Sequence, residues 1–136
     1  MKTKTTRLEI ETTEHTQMVE ITEQVRRAVA KSGVRDGVCL VFVPHTTAAV
    51  TINENADPDV VRDITMELGK IVPWEDGYRH REGNAAAHLK CSLVGASETV
   101  IIENGAPLLG TWQGIWFCEF DGPRRRKALV KVIAED

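Results

Sequence analysis

The stretch Val38-Cys-Leu-Val-Phe-Val43, followed directly by Pro44, is the strongest fold signal in this chain. An unbroken apolar run of β-branched and aromatic residues that ends at a proline is typical of a strand buried on both faces. A second β-type run, Ala48-Ala-Val-Thr-Ile-Asn53, follows after a short turn. The middle of the chain is therefore predicted to form two strands.

Other β-type segments flank these two runs. Leu8-Glu-Ile-Glu-Thr12 alternates apolar and polar residues, and Met18 to Ile21 does so less regularly, so the two segments are predicted to form an opening hairpin. Three more β-rich runs close the chain, over residues 98–103, 112–120 and 127–133. Strands dominate and helices interrupt them without regular alternation, which indicates the α+β class.

Helices are predicted between the strands, over residues 23–32, 58–72 and 84–93. The first has Thr22 as its N-cap and ends at Gly33, a residue type that often closes a helix. The second has the clearest start, since Asp57 is a good N-cap and Pro58 occupies the first helical position without losing a hydrogen bond. Asn84 is the predicted N-cap of the third.

Length and composition indicate one globular domain over residues 1–136. With 42% hydrophobic and 27% charged residues, the chain lies outside the disordered and fibrous classes. The net charge of −3 argues against nucleic acid as the main partner, because such binding needs many Lys and Arg side chains at phosphates. The longest apolar run is far below the roughly 20 residues that span a bilayer, so no membrane partner is expected.

The cysteines and the first residues indicate a cytoplasmic protein. Cys39, Cys91 and Cys118 are odd in number and far apart, so they cannot close a complete set of intrachain disulfides. Nothing near them would stabilise a thiolate, and we expect buried, inert thiols. No apolar segment follows the charged residues at the start, so no signal peptide is expected.

Polar side chains follow the two central strands. Pro44-His-Thr-Thr47 comes directly after the first strand, where catalytic groups often lie on a rigid base, although its histidine could equally cap backbone carbonyls. Asn53-Glu-Asn-Ala-Asp57 comes at the end of the second strand, where Glu54 suits a general base or a ligand and Asn53 can orient a substrate. The alternative is that Asp57 caps the next helix and Glu54 is merely exposed.

Two histidines and an arginine run are further candidates. His80, in Tyr78-Arg-His80, and His88 would form a three-imidazole set with His45 only if the fold brings them together, because their spacing is not that of a zinc finger. Arg124-Arg-Arg126 offers guanidinium groups that match phosphate oxygens, or it is an ordinary solvated turn.

The β-rich run near the end also carries polar residues. Gln113 and Glu119 share one strand face, with two apolar residues between them. Gly114 predicts a close backbone approach or a bulge. Trp112 and Trp116 are interpreted as core or subunit-interface aromatics.

These blocks resemble the YjbQ family, small proteins also labelled secondary thiamine-phosphate synthases. The resemblance runs almost end to end and rests on His45-Thr-Thr-Ala-Ala49, Thr51-Ile-Asn-Glu-Asn-Ala-Asp-Pro-Asp59, Tyr78-Arg-His80, Ala87-His-Leu-Lys90, Ser92-Leu-Val-Gly95, Gly110-Thr-Trp-Gln-Gly114 and Cys118-Glu119. It implies a mixed β-sheet curled into a closed barrel with helices packed outside, assembled as a homotrimer. It also implies that the matched polar residues gather in one pocket near a subunit boundary.

With this resemblance, roles can be predicted for individual residues. They are catalysis by Glu54, His88 and Glu119, substrate binding by Asn53, Thr46, Gln113 and Arg124, and metal binding by His45, His80 and His88. Three imidazoles with an open position suit a catalytic zinc, magnesium suits diphosphate chemistry, and no organic cofactor is expected.

The resemblance also implies a reaction. It joins hydroxymethylpyrimidine diphosphate to a thiazole phosphate and releases pyrophosphate, so the expected substrate is small and anionic. The alternative is a non-catalytic trimer that binds a small ligand or a metal.

Overall fold

The computed structural model describes residues 3–135, which form eight strands and three helices. In chain order the elements are β1 (Thr3–Glu11), β2 (Gln17–Glu20), α1 (Thr22–Ser32), β3 (Gly37–Phe42), β4 (Ala48–Glu54), α2 (Pro58–Ile71), α3 (Ala85–Val94), β5 (Ser97–Glu103), β6 (Ala106–Pro107), β7 (Gln113–Glu119) and β8 (Arg125–Ala134). The predicted helices and the α+β class are confirmed. The short strand β6 is an addition that the sequence pattern did not predict.

The strands form two curled sheets. One has five strands in the order β1-β8-β3-β5-β6, and the other has three in the order β2-β7-β4. Every pairing between described strands is antiparallel, so the expectation of a mixed sheet is wrong. The expected closed barrel is also wrong: the five-stranded sheet is a half-barrel, and its edge strand β6, with 2 residues, is too short to continue the ladder towards β1.

The predicted opening hairpin is wrong as well. β1 pairs with β8 along its whole length, whereas β2 pairs with β7 in the other sheet. The connection between β1 and β2 is held by the loop before β8, since Thr12 N–H donates to Arg124 O at 3.0 Å and Gly122 N–H donates to His15 O at 2.9 Å. The alternating pattern therefore predicted both strands correctly, but each pairs with a strand from near the end of the chain and not with the other.

The main core is formed by the inner faces of both sheets together with α1. Cys39 and Val41 of β3 are fully buried there, as are Val25 and Val29 of α1. The opposite face of β3 is less covered, and Phe42 is 40% exposed. The prediction that this strand is buried on both faces is therefore wrong for a single chain.

Two of the predicted helix termini, the end of α1 and the start of α2, follow their local signals. Gly33 closes α1 with a φ of 73°, and Asp57 caps α2 by accepting the Asp59 N–H at 2.9 Å. Thr22, the predicted N-cap of α1, is instead its first residue, and Ile21 takes the cap position. Its hydroxyl accepts a backbone N–H of β7 at 2.9 Å and so ties the helix to the three-stranded sheet.

The cysteines are free and buried, as predicted. Burial raises the pKa of Cys39 to about 11 and, with the nearby Cys91, raises the pKa of Cys118 to about 12, so these thiols stay protonated near neutral pH. Within residues 3–135, no helix combines the length and apolar character that crossing a membrane requires.

Candidate functional site

A buried ion pair joins the end of β7 to the start of β8. Glu119 is fully buried and Arg126 is 4% exposed. The guanidinium binds both carboxylate oxygens: Nε donates to Oε1 at 2.8 Å and Nη2 donates to Oε2. Thr12 Oγ1–H donates to Glu119 Oε1 at 2.8 Å, and Arg126 Nη2 donates to Thr47 Oγ1 at 2.8 Å. Bidentate geometry and these extra partners offset the cost of removing two charges from water.

The Glu119 carboxylate is already fully engaged. Burial on its own raises the pKa of Glu119, but hydrogen bonds from Arg126, from the Asp121 N–H and from Thr12, with the charge of Arg126, outweigh it and hold this pKa below its usual value. The carboxylate is therefore ionised and faces no solvent. Its geometry is that of a positioning group, which holds Arg126 and the Asp121 turn in place.

Asp121, two residues after Glu119, is the centre of a more accessible network. Its Oδ2 accepts from Asn84 Nδ2 at 2.9 Å and from Arg124 Nη2 at 3.1 Å, and its Oδ1 lies 3.7 Å from His15 Nε2. We call Asp121, Asn84, Arg124 and His15 the Asp121 cluster. Sequence reasoning identified only Arg124 as a site residue, although the proximity of Asp121 to Glu119 in the chain was a usable signal.

Asn84 takes the predicted position but not the predicted role. It stands at the N-cap of α3, yet its side chain makes no capping hydrogen bond and reaches Asp121 and Glu82 instead. The residue is 6% exposed, and its Oδ1 is buried without a hydrogen-bond partner. A buried acceptor left unpaired costs about 1–3 kcal/mol, so a hydrogen-bond donor that reached this atom would remove that cost.

The three consecutive arginines have different surroundings. Arg124 is half-exposed and bound to Asp121, Arg125 is fully solvated beside Glu11, and Arg126 is buried. The alternatives left open by the sequence, phosphate binding or a solvated turn, therefore apply to different members of the run.

His45 lies beside this region, in the turn after β3. Its Nε2 accepts the Lys127 backbone N–H at 2.9 Å, which places the ring proton on Nδ1. Burial lowers the pKa of His45, and the nearby charges of Arg126 and Arg124 lower it further, so the ring is neutral at pH 7. Neutral His45 is a hydrogen-bond donor through Nδ1–H. Its neighbour Thr46 is exposed.

His80 and His88 form a pair at the N-terminal half of α3. Their ring centroids are 5.2 Å apart and nearly perpendicular, and His80 Nε2 lies 3.9 Å from Glu82 Oε1. A shallow cleft of about 320 Å³ opens beside them, between Tyr78 and Leu89. His88 follows the N-cap residue Asn84 by four positions, in the first half of α3.

The residues of one chain do not fit the predicted three-imidazole zinc site. No group of three or more His, Cys, Asp or Glu side chains within residues 3–135 could hold a metal ion. His80 and His88 lie together, but the Nε2 of His45 is occupied by a backbone N–H. Metal binding therefore stays a prediction.

The remaining predicted residues, Asn53, Glu54 and Gln113, lie at the opposite end of the three-stranded sheet. Glu54 pairs with Gln113 at one end of the β4–β7 ladder, and Ala48 pairs with Glu119 at the other. Six residues of strand separate these ends by about 20 Å. A single chain thus divides the predicted site into two groups.

The side chains of this second group serve local turns. Asn53 Oδ1 accepts the Glu54 N–H at 2.7 Å, Glu54 Oε2 accepts the Asp57 N–H at 3.1 Å, and Gln113 Oε1 accepts the Gly110 N–H at 2.8 Å. These bonds shape the entrance to α2 and the start of β7. They do not by themselves form a pocket.

Comparison with a family model and with individual protein sequences identifies the chain's relatives. The family model for UPF0047 protein YjbQ-like sequences matches residues 6–135. UPF0047 protein YugU of Bacillus subtilis (strain 168) is 52% identical over 127 residues, which cover 93% of this chain and 96% of that protein. A UPF0047 protein of Archaeoglobus fulgidus is 44% identical over 128 residues, with coverage of 93% and 98%.

Solved structures show the same fold. An uncharacterized conserved protein of the yjbq/upf0047 family from Clostridium acetobutylicum superposes with a TM-score of 0.93 at 55% identity, covering 94% of this chain and 99% of that chain. A YbjQ-like protein of unknown function from Sulfolobus solfataricus gives a TM-score of 0.95 at 34% identity, covering 98% and 99%. The chain belongs to the YjbQ/UPF0047 family.

Proposed function

We propose that this protein is a trimeric enzyme that acts on a small phosphorylated substrate bound at the Asp121 cluster. The observation that carries the proposal is the half-exposed guanidinium of Arg124, a cation that matches phosphate oxygens. The unpartnered Oδ1 of Asn84, in the same network, would accept a hydrogen bond from a donor elsewhere on the substrate. A folded chain tolerates such an atom at a cost, and a ligand that donates a hydrogen bond to it removes that cost.

The residues around Asn84 have complementary roles. Arg124 donates to Asp121 through Nε and Nη2, and the remaining guanidinium N–H groups of this half-exposed side chain suit a substrate phosphate. His88, one turn along α3 and beside His80, is the general acid or base, because imidazole is the side chain best suited to proton transfer near neutral pH. Glu119 positions Arg126 and the Asp121 turn.

Thiamine-phosphate synthesis is the specific reaction that we propose from the family resemblance. A ring nitrogen of the thiazole phosphate attacks the methylene carbon of hydroxymethylpyrimidine diphosphate, the carbon–oxygen bond breaks, and pyrophosphate leaves with the bonding electrons. Cationic donors such as Arg124 would stabilise the negative charge that develops on the leaving group.

The trimer is proposed from the outer face of the five-stranded sheet. Val38 pairs with Ile101 and Ile133 on this face, Phe42 lies further along it, and Ile101 is 58% exposed. Copies of the same chain would cover this apolar surface. Assembly would also let the Glu54 end of one subunit approach the Asp121 cluster of another.

Neighbouring arginines allow a controlled test. The assay measures pyrophosphate release from hydroxymethylpyrimidine diphosphate with thiazole phosphate present. In Arg124→Gln the KM for the diphosphate should rise by about tenfold or more, because a charge-assisted contact is lost. Arg125→Gln removes an equally charged neighbour outside the cluster and should leave KM unchanged. His88→Asn should lower kcat by about 100-fold or more. Equal kinetics in Arg124→Gln and Arg125→Gln would contradict the site.

One observation favours the alternative of a non-catalytic binding protein. Both Glu119 oxygens and His45 Nε2 are already engaged, which leaves fewer free acid–base groups than the sequence predicted. A pH–rate profile separates the two functions, since an enzyme should show ionisation of its catalytic group in kcat/KM. Ligand binding without turnover at any pH would establish the binding protein.

A further inference from the structure

A second cleft, of about 330 Å³, lies next to the Asp121 cluster. Its lining residues are His15, Thr16, Gly69, Trp74 and Lys90. They come from the β1–β2 connection, from α2 and the segment just after it, and from α3. We call this space the Lys90 cleft. The roles assigned above do not use it.

Lys90 is the charged group of this cleft. The residue is 6% exposed, and its Nζ lies 5.8 Å from the centroid of the Phe120 ring. Its ammonium forms no ion pair or hydrogen bond with another residue of the described range 3–135, and its Nζ is not among the fully buried polar atoms, so the charged end reaches the cleft. Lysine is rarely buried unless it is paired, because removing an ammonium group from water is costly. A ligand anion in the cleft would supply the missing partner.

The other walls suit a compact anion with an apolar part. His15 and Trp74 pack edge to face with centroids 4.5 Å apart, and His15 Nδ1 lies 3.0 Å from Thr16 Oγ1. When His15 Nδ1–H donates to Thr16 Oγ1, the hydroxyl hydrogen is free to serve as a second donor in the cleft, and the indole offers a flat apolar surface. Because His15 also approaches Asp121, the cleft and the Asp121 cluster are continuous through this ring.

Gly69 keeps the cleft open. It lies inside α2, where glycine is less favourable than alanine. No atom of the protein lies within 4 Å of the place that a Cβ would take. Packing within the chain therefore does not require a glycine here, whereas a large side chain at this position would project into the cleft.

We propose that the Lys90 cleft binds the phosphate or diphosphate group of a ligand, with the Lys90 ammonium as its ion-pair partner and Thr16 as a hydrogen-bond donor. The inference rests on the proposed function in one respect, which is that the substrate is phosphorylated. It adds a second anion site, separate from the one proposed at Arg124. Trp74 then covers the apolar part of the molecule next to that group.

Calorimetric titration with inorganic phosphate and with pyrophosphate tests the cleft directly. Lys90→Met keeps the length of the side chain and removes the charge, so the Kd should rise by about tenfold or more. Lys90→Arg should retain most of the affinity. Lys70→Met, which removes an exposed positive charge from the neighbouring helix, should bind like the wild type.

A second pair of variants keeps the test valid if Lys90→Met fails to fold. Gly69→Leu should abolish binding by filling the cleft, while Gly69→Ala should preserve it, and both should raise the helix propensity of α2. Thermal melting and light scattering on each variant establish that fold and assembly are intact. Loss of binding in Gly69→Leu with both properties intact supports the cleft.

The outcomes separate this inference from the proposed function. Wild-type affinity in both Lys90→Met and Gly69→Leu, or no binding of either anion to the wild type at millimolar concentration, overturns the cleft. Lys90-dependent anion binding in a protein that turns over no phosphorylated substrate overturns the enzyme and leaves the cleft standing. Turnover of a phosphorylated substrate that is unchanged in the Lys90 and Gly69 variants overturns the cleft and leaves the enzyme standing.

Discussion

Glu119 and Arg126 form a bidentate, fully buried ion pair where β7 leads into β8. The pair connects the three-stranded sheet, to which Glu119 belongs, with the five-stranded sheet, to which Arg126 belongs. Thr12 and Thr47 complete its hydrogen bonds. The Asp121 turn therefore lies on a rigid polar base that joins the two sheets.

Removing one member of this pair should be costly. Arg126→Met leaves an ionised carboxylate buried without its partner and should lower the free energy of unfolding by about 3–5 kcal/mol. Urea unfolding measures this loss. The double variant Glu119→Leu/Arg126→Met should recover a large part of it, because neither charge is then buried. A double variant as unstable as the sum of the single variants would contradict this account.

His45 should make stability depend on pH below neutrality. Burial, with the charges of Arg126 and Arg124, lowers the pKa of folded His45 below 6.5. As the pH falls through 6.5, the unfolded chain takes up the proton first, so the free energy of unfolding decreases until the folded protein is protonated too.

His45→Gln should remove this contribution. Its free energy of unfolding should fall less than that of the wild type between pH 8 and pH 5, as measured by urea unfolding at both pH values. The variant also lacks the His45 contact to Lys127, but this lowers its free energy of unfolding at both pH values and so cancels in the difference between them. Parallel curves for the two proteins would show that His45 is not the titrating group.

Two glycines should respond in opposite ways to alanine. At Gly69 nothing lies within 4 Å of the added Cβ, so Gly69→Ala should raise the free energy of unfolding by roughly 0.5–1 kcal/mol. At Gly114 the Cβ would meet Glu20 Oε2 at 2.7 Å and Asn55 Cβ at 2.8 Å, so Gly114→Ala should destabilise the protein. Thermal melting checks both, and a stabilised Gly114→Ala would refute the crowding argument.

Metal binding should depend on the His80–His88 pair. Elemental analysis of protein purified without chelator should find any bound zinc reduced in His80→Ala and His88→Ala, because these rings lie together. His45→Ala should retain the metal, since His45 Nε2 accepts the Lys127 N–H. If His45→Ala also lost the metal, the three-imidazole site would be supported. Its ligands would then have to come from more than one chain.

Local signals predicted most elements of the fold. The turn Asp57-Pro58 marks the start of α2, Gly33 marks the end of α1, and the apolar run from Val38 marks β3. Each signal depends on contacts between near neighbours, such as a cap that accepts an N–H two residues away. Gly114 was predicted to mark a close backbone approach or a bulge; the strand register is continuous, and the atoms that approach it are side-chain atoms of Glu20 and Asn55.

The grouping of polar residues was harder to predict. His15, Asn84 and Asp121 carry no motif, and their contacts join residues as far as 106 positions apart in the case of His15 and Asp121. Asn84 illustrates the limit: its identity indicates a cap, but a carboxylate from a distant turn competes for its side chain. The family resemblance identified Glu119 as a site residue, but it did not indicate that Glu119 is buried.

The sequence by itself determined the helices, all strands but β6, the α+β class and the family, because capping, periodicity and motifs are properties of neighbouring residues. Only the tertiary structure decided which strands pair, that the five-stranded sheet stays open, and that the predicted site residues divide between the two ends of the β4–β7 ladder. These outcomes depend on competition between distant segments for the same sheet edges and hydrogen bonds. That competition is settled only when the whole chain is packed.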